Sequence, residues 1–252
     1  TKTPYTEMAY YGTLFAPESM ASDNIHLLTT QNFTPEMNLT LMYDKFGGSG
    51  ILTNEKTTNK TAAIGANYLG RKYTMHAGYI YNMVSRNENG GVLDNHWILD
   101  TLVKSREIAV ALGDASSKIK KNTVFLDQQY RIPFNFLAPK PDGQEDEEAE
   151  LENNDITTAF IGHSSEFTRI SRLYDDKLTS IRSKDYYGNR FYNNPAASHD
   201  SLGVTKFDNK LFIRLQPWAK EAIVSKLDVG IGEDIHKYAT FDPSYLYKPT
   251  QQ

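Results

Sequence analysis

The sequence predicts an all-β protein, an antiparallel up-and-down transmembrane β-barrel in which about nine strands are visible. The clearest evidence is the stretch 72–84, KYTMHAGYIYNMV, in which tyrosine, methionine and alanine alternate with mainly polar residues. Strict period-2 alternation gives a strand one apolar face and one polar face. At ~3.3 Å per residue this stretch is roughly 43 Å long, whereas an ordinary strand is ~20 Å long. Long alternating strands with aromatic residues near their ends are typical of outer-membrane barrels.

The composition limits the classes to which the chain can belong. The 252 residues are 39% hydrophobic with a mean hydropathy of −0.54, and no run approaches the ~18 consecutive apolar residues of a transmembrane helix. A membrane barrel fits these values, because half of each strand faces a wet lumen. The absence of cysteine excludes disulfides and thiol sites. A net charge of −4 gives no reason to expect a nucleic-acid partner.

Eight further segments repeat the alternation, although less regularly than the central one. In 36–46, for example, Met37, Leu39 and Leu41 share one face while Asn38 and Thr40 share the other. The predicted strands, in addition to 72–84, are 3–12, 24–33, 36–46, 61–69, 121–137, 157–173, 206–217 and 222–235.

The connections between the strands predict which end of each strand lies outside the cell. Short and long connections alternate from the second strand to the sixth, as the short periplasmic turns and long extracellular loops of a barrel do. The predicted extracellular loops are 13–23, 47–60, 85–120 and 174–205. The acidic segment 140–155 breaks this alternation because it is long yet periplasmic by parity, and its composition predicts a flexible connection.

Nine is an odd number, whereas single-chain bacterial barrels have even numbers of strands. We therefore expect residues 1–252 to be part of one outer-membrane β-barrel domain, an incomplete portion of a larger barrel.

Six extended strings of the chain carry a resemblance to a known family. They are HLLTTQNFTPEMNLTLMYDKFG (26–47), NYLGRKYTMHAGYIYNMVSRNENGG (67–91), NTVFLDQQYRIPFNF (122–136), TTAFIGHSSEFTR (157–169), KFDNKLFIRLQPW (206–218) and AIVSKLDVGIGED (222–234). These strings resemble the Bacteroidetes putative-porin family of outer-membrane β-barrels. The resemblance covers most of the chain and implies an outer-membrane location and a pore, but it supplies no catalytic motif.

Charged residues on the polar parity of the strands are the candidate pore lining. One interpretation is that they set ion or solute selectivity, and the other is that they pair with one another in the lumen without a selective role. Their mixed signs argue against a strong preference for cations or anions. These candidates are Lys72, His76, Asp127, Arg131, Arg214, Lys226 and Asp228.

The loop 85–120 is too long for a simple hairpin connection. Residues 104–112 can form a short helix with Ile108 and Leu112 on one face, and Trp97 can act as a packing anchor. The loop either folds into the barrel mouth as a constriction or packs on the rim, and the sequence leaves both alternatives open.

Enzymatic and metal chemistry have little support in the sequence. The acidic residues of 145–152 lack the D-x-D-x-D-G spacing of a calcium loop, so a solvated linker is favoured over a calcium site. The histidines show no HExxH spacing, and no G-x-S-x-G nucleophile elbow is present. We predict no enzyme activity, no cofactor and no metal.

Three functions are compatible with these observations. The first is passive diffusion of small hydrophilic solutes or ions through an outer-membrane pore. The second is a non-conducting or plugged barrel that acts as a scaffold or partner subunit in a cell-surface assembly. The third, a soluble carbohydrate-binding β-sandwich, is disfavoured by the long strands. The expected partners are outer-membrane lipid and a second copy or other outer-membrane proteins.

Overall fold

The computed structural model describes residues 3–13, 22–94, 103–132, 159–177, 186, 198–220 and 223–240, excluding the side chains of 198, 216–220, 223–226 and 240. No helix in these ranges is long and apolar enough to cross a membrane. The strands are β1 (Tyr5–Gly12), β2 (Ser22–Asn32), β3 (Met37–Ser49), β4 (Lys56–Leu69), β5 (Tyr73–Glu88), β6 (Ala115–Ile132), β7 (Ala159–Asp176), β8 (Ser198–Lys220) and β9 (Ile223–Thr240).

The nine strands form one sheet in chain order, and every neighbouring pair is antiparallel. The predicted all-β, up-and-down architecture is therefore confirmed. In the described residues β1 and β9 stay at opposite edges, so the sheet does not close. The strand ends that flank residues 33–36, 70–72, 133–158 and 221–222 lie at one end of the sheet, called here the turn end. The strand ends that flank residues 13–21, 50–55, 89–114 and 177–197 lie at the other, the loop end.

The strands reach further toward the loop end than the sequence predicted. The prediction of a loop over 47–60 was wrong, because β3 continues to Ser49 and β4 starts at Lys56. Backbone pairing of Gly47 with Thr58 and of Gly48 with Thr57 extends the ladder through this Gly-rich segment. The predicted loops 85–120 and 174–205 shorten to 89–114 and 177–197 for the same reason. The acidic segment 140–155 lies outside the described residues.

Register divides the side chains into two faces that run across the whole sheet. Ile64 is opposite Leu41 and Tyr79, and Tyr79 is opposite Val124. We call the parity of these residues the apolar face and the other parity the polar face. Apolar side chains are exposed along the apolar face, from Met37 at 38% to Met8 at 77%. An exposed apolar surface that spans nine strands is what contact with lipid requires.

Tyrosines mark both borders of the apolar face. Tyr68, Tyr73 and Tyr130 lie near the turn end, where the rings of Tyr68 and Tyr73 are 5.9 Å apart. Tyr43 and Tyr81 lie toward the loop end, in register with Ala62 between them. Tyr73 and Tyr81 are separated by roughly 26 Å along β5 at ~3.3 Å per residue, or roughly 20 Å of height at a tilt of ~40°, which is close to the ~25 Å apolar band of an outer-membrane barrel.

The polar face is the more buried of the two, as expected if the sheet curls around it. Thr168 is 2% exposed and forms a 3.0 Å hydroxyl contact with buried Thr123. Phe212 is 8% exposed and lies in register between Gly162 and Gly230. A Cβ at Gly162 would overlap the Phe212 ring. The two glycines therefore let an aromatic ring lie flat against the wall.

A chain of hydrogen bonds crosses the apolar face from β5 to β8. The Tyr73 hydroxyl donates to Gln128 Oε1 at 2.7 Å, and Gln128 Nε2 lies 3.1 Å from His163 Nδ1. His163 Nε2 lies 2.8 Å from Asn209 Oδ1. These polar groups satisfy one another, which lowers the cost of placing them on a face that is otherwise apolar.

The strands are staggered relative to one another. Asn38, beside the β2–β3 turn, is in the same cross-strand row as Asn67, His76, Asp127, Ser164 and Lys210. Whereas β3 begins one residue before this row, β8 continues past Lys210 as far as Lys220. Stagger of this kind accompanies strands that are tilted to the barrel axis.

The assignment of the two faces predicts where an added charge is harmful. In the full-length protein, Tyr79→Lys and Leu39→Lys should each destabilise the folded membrane form by about 2–4 kcal/mol, because the new charge faces hydrocarbon. Asn82→Lys and Thr40→Lys, on the polar face of the same strands, should have mild effects. Denaturant titration in lipid vesicles measures the difference, and equal losses at both parities would overturn the assignment.

The packing of Phe212 predicts a second difference, between two glycines of the polar face. Gly162→Val should destabilise the fold by about 1–3 kcal/mol because its side chain overlaps the Phe212 ring. Gly65→Val should be tolerated, since no atom lies within 4 Å of a Cβ there. Combining Gly162→Val with Phe212→Ala in a double-mutant cycle should recover part of the loss. Strictly additive effects would show that the ring does not cause the overlap.

Candidate functional site

Most of the predicted pore-lining residues share the polar face. His76 and Asp127 are direct cross-strand partners, and Arg214 is the partner of Asp228. Phe160 is the cross-strand partner of Arg131 on one side and of Arg214 on the other, so Arg131 lies in the same row as the second pair. Two candidates differ. Lys72 lies in the turn before β5 instead of within the strand, because the strand begins at Tyr73, and Lys226 lies on β9 with its side chain outside the described residues.

Arg214 and Asp228 form a two-point ion pair on the polar face. Arg214 donates from Nε and Nη2 to the two carboxylate oxygens at 2.8 and 2.9 Å, a bidentate geometry. Its Nη1 donates to Gln129 Oε1 at 3.2 Å, and its guanidinium lies 5.3 Å from the centre of the Phe212 ring. The guanidinium is thus held by three neighbours, which fixes its position on the wall.

A second polar group surrounds Asp127. The Ser164 hydroxyl donates a short hydrogen bond to Asp127, and His76 Nδ1 lies 2.8 Å from Asn67 Oδ1. Lys210 continues the same row on β8, with its ammonium 5.5 Å from the Phe212 ring centre. The row thus alternates basic, acidic and neutral groups across five strands.

Other charged residues of the polar face were missed by the sequence analysis. Glu166, Asp208 and Asp234 are abreast in one row of β7, β8 and β9. Lys206 and His236 form the next cross-strand pair toward the loop end, and His236 Nε2 lies 3.9 Å from Asp208 Oδ1. The alternation of side chains assigns all of these residues to the polar face once the register of β7, β8 and β9 is known.

The loop 89–114 was predicted to contain a helix over 104–112, and this is wrong. The structure has a single 3-10 turn, Ser105–Glu107, and an isolated bridge between Val92 and Val110. Ile108 is partly exposed, Leu112 is 2% exposed, and Trp97 lies outside the described residues.

Leu112 anchors this loop to the loop end of the sheet. It packs with Ala111 and Ala115, and Tyr174 covers the cluster. Ala115 and Tyr174 both belong to the polar parity of their strands. The contact therefore draws the loop toward the polar side of the sheet. Gly90, with a φ of +67°, approaches Leu112 so closely that a Cβ there would overlap it.

The β3–β4 turn holds the same loop through polar contacts. The Asn54 amide donates to the carbonyl of Glu88 at 2.8 Å, and also lies within hydrogen-bonding distance of the carbonyls of Leu112 and Ala115. Thr53 donates to the carbonyl of Arg106 at 2.8 Å. The turn and the loop thus form one docked unit, which we call the cap.

Within the parts of the chain that the structure describes, no group of three His, Cys, Asp or Glu side chains could hold a metal ion. The acidic residues of 145–152, considered above for calcium, are outside those parts. What the polar face offers chemically is a wall of paired charges and hydrogen-bonding groups.

A search of solved structures finds a similar fold in the ferric-catecholate import receptor Fiu from E. coli K12, in its open form. The TM-score is 0.55 at 10% sequence identity, and the match covers 89% of this chain and 33% of the receptor. The chain thus spans about a third of the length of that protein, and at this identity the likeness concerns the fold alone. The comparison with curated proteins gives no match.

The sequence matches the family described as "Putative porin" over residues 1–252. This family and the shared fold point to the outer membrane and to a role of the transport type, while a Bacteroidetes origin and passive diffusion belong to the predictions. The chain belongs to the putative-porin family.

Proposed function

We propose that this chain forms part of an outer-membrane pore through which small hydrophilic solutes or ions diffuse passively. Its apolar face contacts lipid, its polar face lines the lumen, and its loop end faces the cell exterior. The observation that carries the proposal is the contrast between the two faces: exposed aliphatic and aromatic side chains on one, and charges paired across strands on the other.

The mechanism needs no chemical step at the wall. A solute exchanges water for the hydroxyl, amide and ionic groups of the polar face, and its passage depends on the width of the pore and on the local charge. The charge of Arg214 is neutralised locally by Asp228. The acidic row of Glu166, Asp208 and Asp234 has Lys206 on one side and Lys210 on the other. Charges that alternate over such short distances produce a weak net field, so selectivity by charge is weak.

A second candidate function is supported by the cap. Because Leu112 is buried and Asn54 binds three carbonyl groups, the cap is held firmly on the polar side. A cap that fills the mouth completely would give a non-conducting barrel, suited to a scaffold or partner subunit in a surface assembly. The two functions differ in one measurable property, which is conductance.

Conductance of the full-length protein tests the proposal directly. Reconstituted from detergent into a planar bilayer, it should give discrete and reproducible steps with a cation-to-anion permeability ratio near one. Heat-modifiable migration in electrophoresis serves as the control for folding. A folded protein that never conducts would support the plugged scaffold instead.

Loosening the cap should enlarge the conductance. Asn54→Gly keeps a backbone that tolerates the φ of +52° and removes the side-chain hydrogen bonds that join the β3–β4 turn to the loop 89–114 and its flanking strands. We expect larger or noisier current steps, because the cap then samples positions away from the mouth. Ile51→Ala, at an exposed position of the same turn, is the matched control and should conduct like the wild type. Identical traces for all three proteins would exclude the cap as the constriction.

A further inference from the structure

The loop end of the apolar face carries a concentration of positive charge. Cations there outnumber carboxylates, which are Asp23 and Asp175, whereas the polar face at the same level mixes both signs. We call these cations the basic rim: Lys45, Lys56, Lys60, Lys118, Lys120, Arg169 and Lys237.

Three members of the basic rim are close in register, and two of them lack a counter-charge. Lys45 and Lys60 are direct cross-strand partners, and Met83 separates Lys60 from Lys120 in the same row. Like charges directly opposite one another destabilise a sheet. Lys45 lies 3.4 Å from Asp23, but in the described residues Lys60 and Lys120 have no carboxylate within ion-pair distance. An external anion would remove this repulsion.

An apolar hollow of about 250 Å³ lies next to the basic rim. Its lining includes Leu27, Leu41, Tyr43, Ile64 and Tyr79, with the small residue Ala62 at its centre. Ala62 follows Lys60 two residues later on the same face of β4, so the hollow begins where the cations end. A cationic edge above an apolar hollow is complementary to an anionic amphiphile.

We propose that the basic rim and this hollow bind a phosphorylated lipid of the outer leaflet, with phosphate at Lys45, Lys60 and Lys120 and an acyl chain over Ala62. The inference rests on the proposed function, since it needs the apolar face in the membrane and the loop end outside. It extends that function by assigning a specific lipid partner. Phosphate-bearing lipid would also shield the row of lysines and stabilise the β3–β4–β5 ladder.

Native mass spectrometry of the full-length protein in detergent tests the site, with bis-phosphorylated lipid A as the probe. Wild type should retain this lipid and should release its dephosphorylated form. Since each cation near an anionic surface contributes about five-fold in affinity, Lys60→Gln/Lys120→Gln should weaken retention roughly 25-fold. Lys121→Gln is the matched control because Lys121 is on the polar face, and it should bind like wild type.

The hollow is tested separately. Ala62→Leu fills it and should reduce retention of the lipid, whereas Ala66→Leu, two steps away on the same face and outside the lining, should not. Equal retention of phosphorylated and dephosphorylated lipid, or equal loss in Lys121→Gln, would overturn the proposal, as would full competition by millimolar inorganic phosphate. A protein that binds the lipid but does not conduct would contradict the proposed pore and would still support the lipid site.

Discussion

The register of the nine antiparallel strands is the constraint on which the rest of the structure depends. A slip of one residue in any strand would move the apolar side chains of that strand onto the polar face and its paired charges onto the apolar face. Tight turns fix the register at one end: Met37 N–H donates to the Thr34 carbonyl, and Gly70 N–H donates to the Tyr73 carbonyl. Cross-strand contacts such as Arg214 with Asp228 fix it further along. In hydrocarbon the backbone N–H and C=O groups cannot hydrogen-bond to water, so the hydrogen bonds between the strands are also the main source of stability.

Side chains of the two faces complement that ladder in different ways. On the polar face, glycine opposite phenylalanine lets Phe212 lie against the wall and support the cations of Lys210 and Arg214. Bulk is thereby kept close to the sheet while charge is presented on the polar face. On the apolar face, away from the basic rim, the polar groups of the chain from Tyr73 to Asn209 hydrogen-bond to one another. Both arrangements satisfy polar groups locally, which a wall between lipid and water requires.

Much of the fold follows from local pattern, because period-2 alternation reports the environment of each residue directly. The face assignment of Leu39, Tyr79 and Asp228 needed only the parity of their own strands. The strand ends at Ser49 and Lys56 could not be predicted, since FGGS has the composition of a turn and is held in the ladder by the opposite strand. The docking of Leu112 and the hydrogen bonds of Asn54 join residues far apart in sequence, and no local pattern encodes them. His163 is comparable: its partners on β6 and β8 become evident only with the register known.

The position of the cap bears on two properties that the proposed pore needs, which are a polar path for solutes and a limit on their size. A wide polar lumen passes solutes without discrimination, so restriction by size must come from something attached to the wall rather than from the wall itself. The loop 89–114 of the cap is attached at two places: Leu112 joins it to β6 and β7, and the β3–β4 turn holds it through Asn54 and Thr53. Two attachments on different strands resist rotation about either one. In the proposed pore, a constriction attached in this way would keep its position, because that position is set by contacts across the sheet and not by a single hinge.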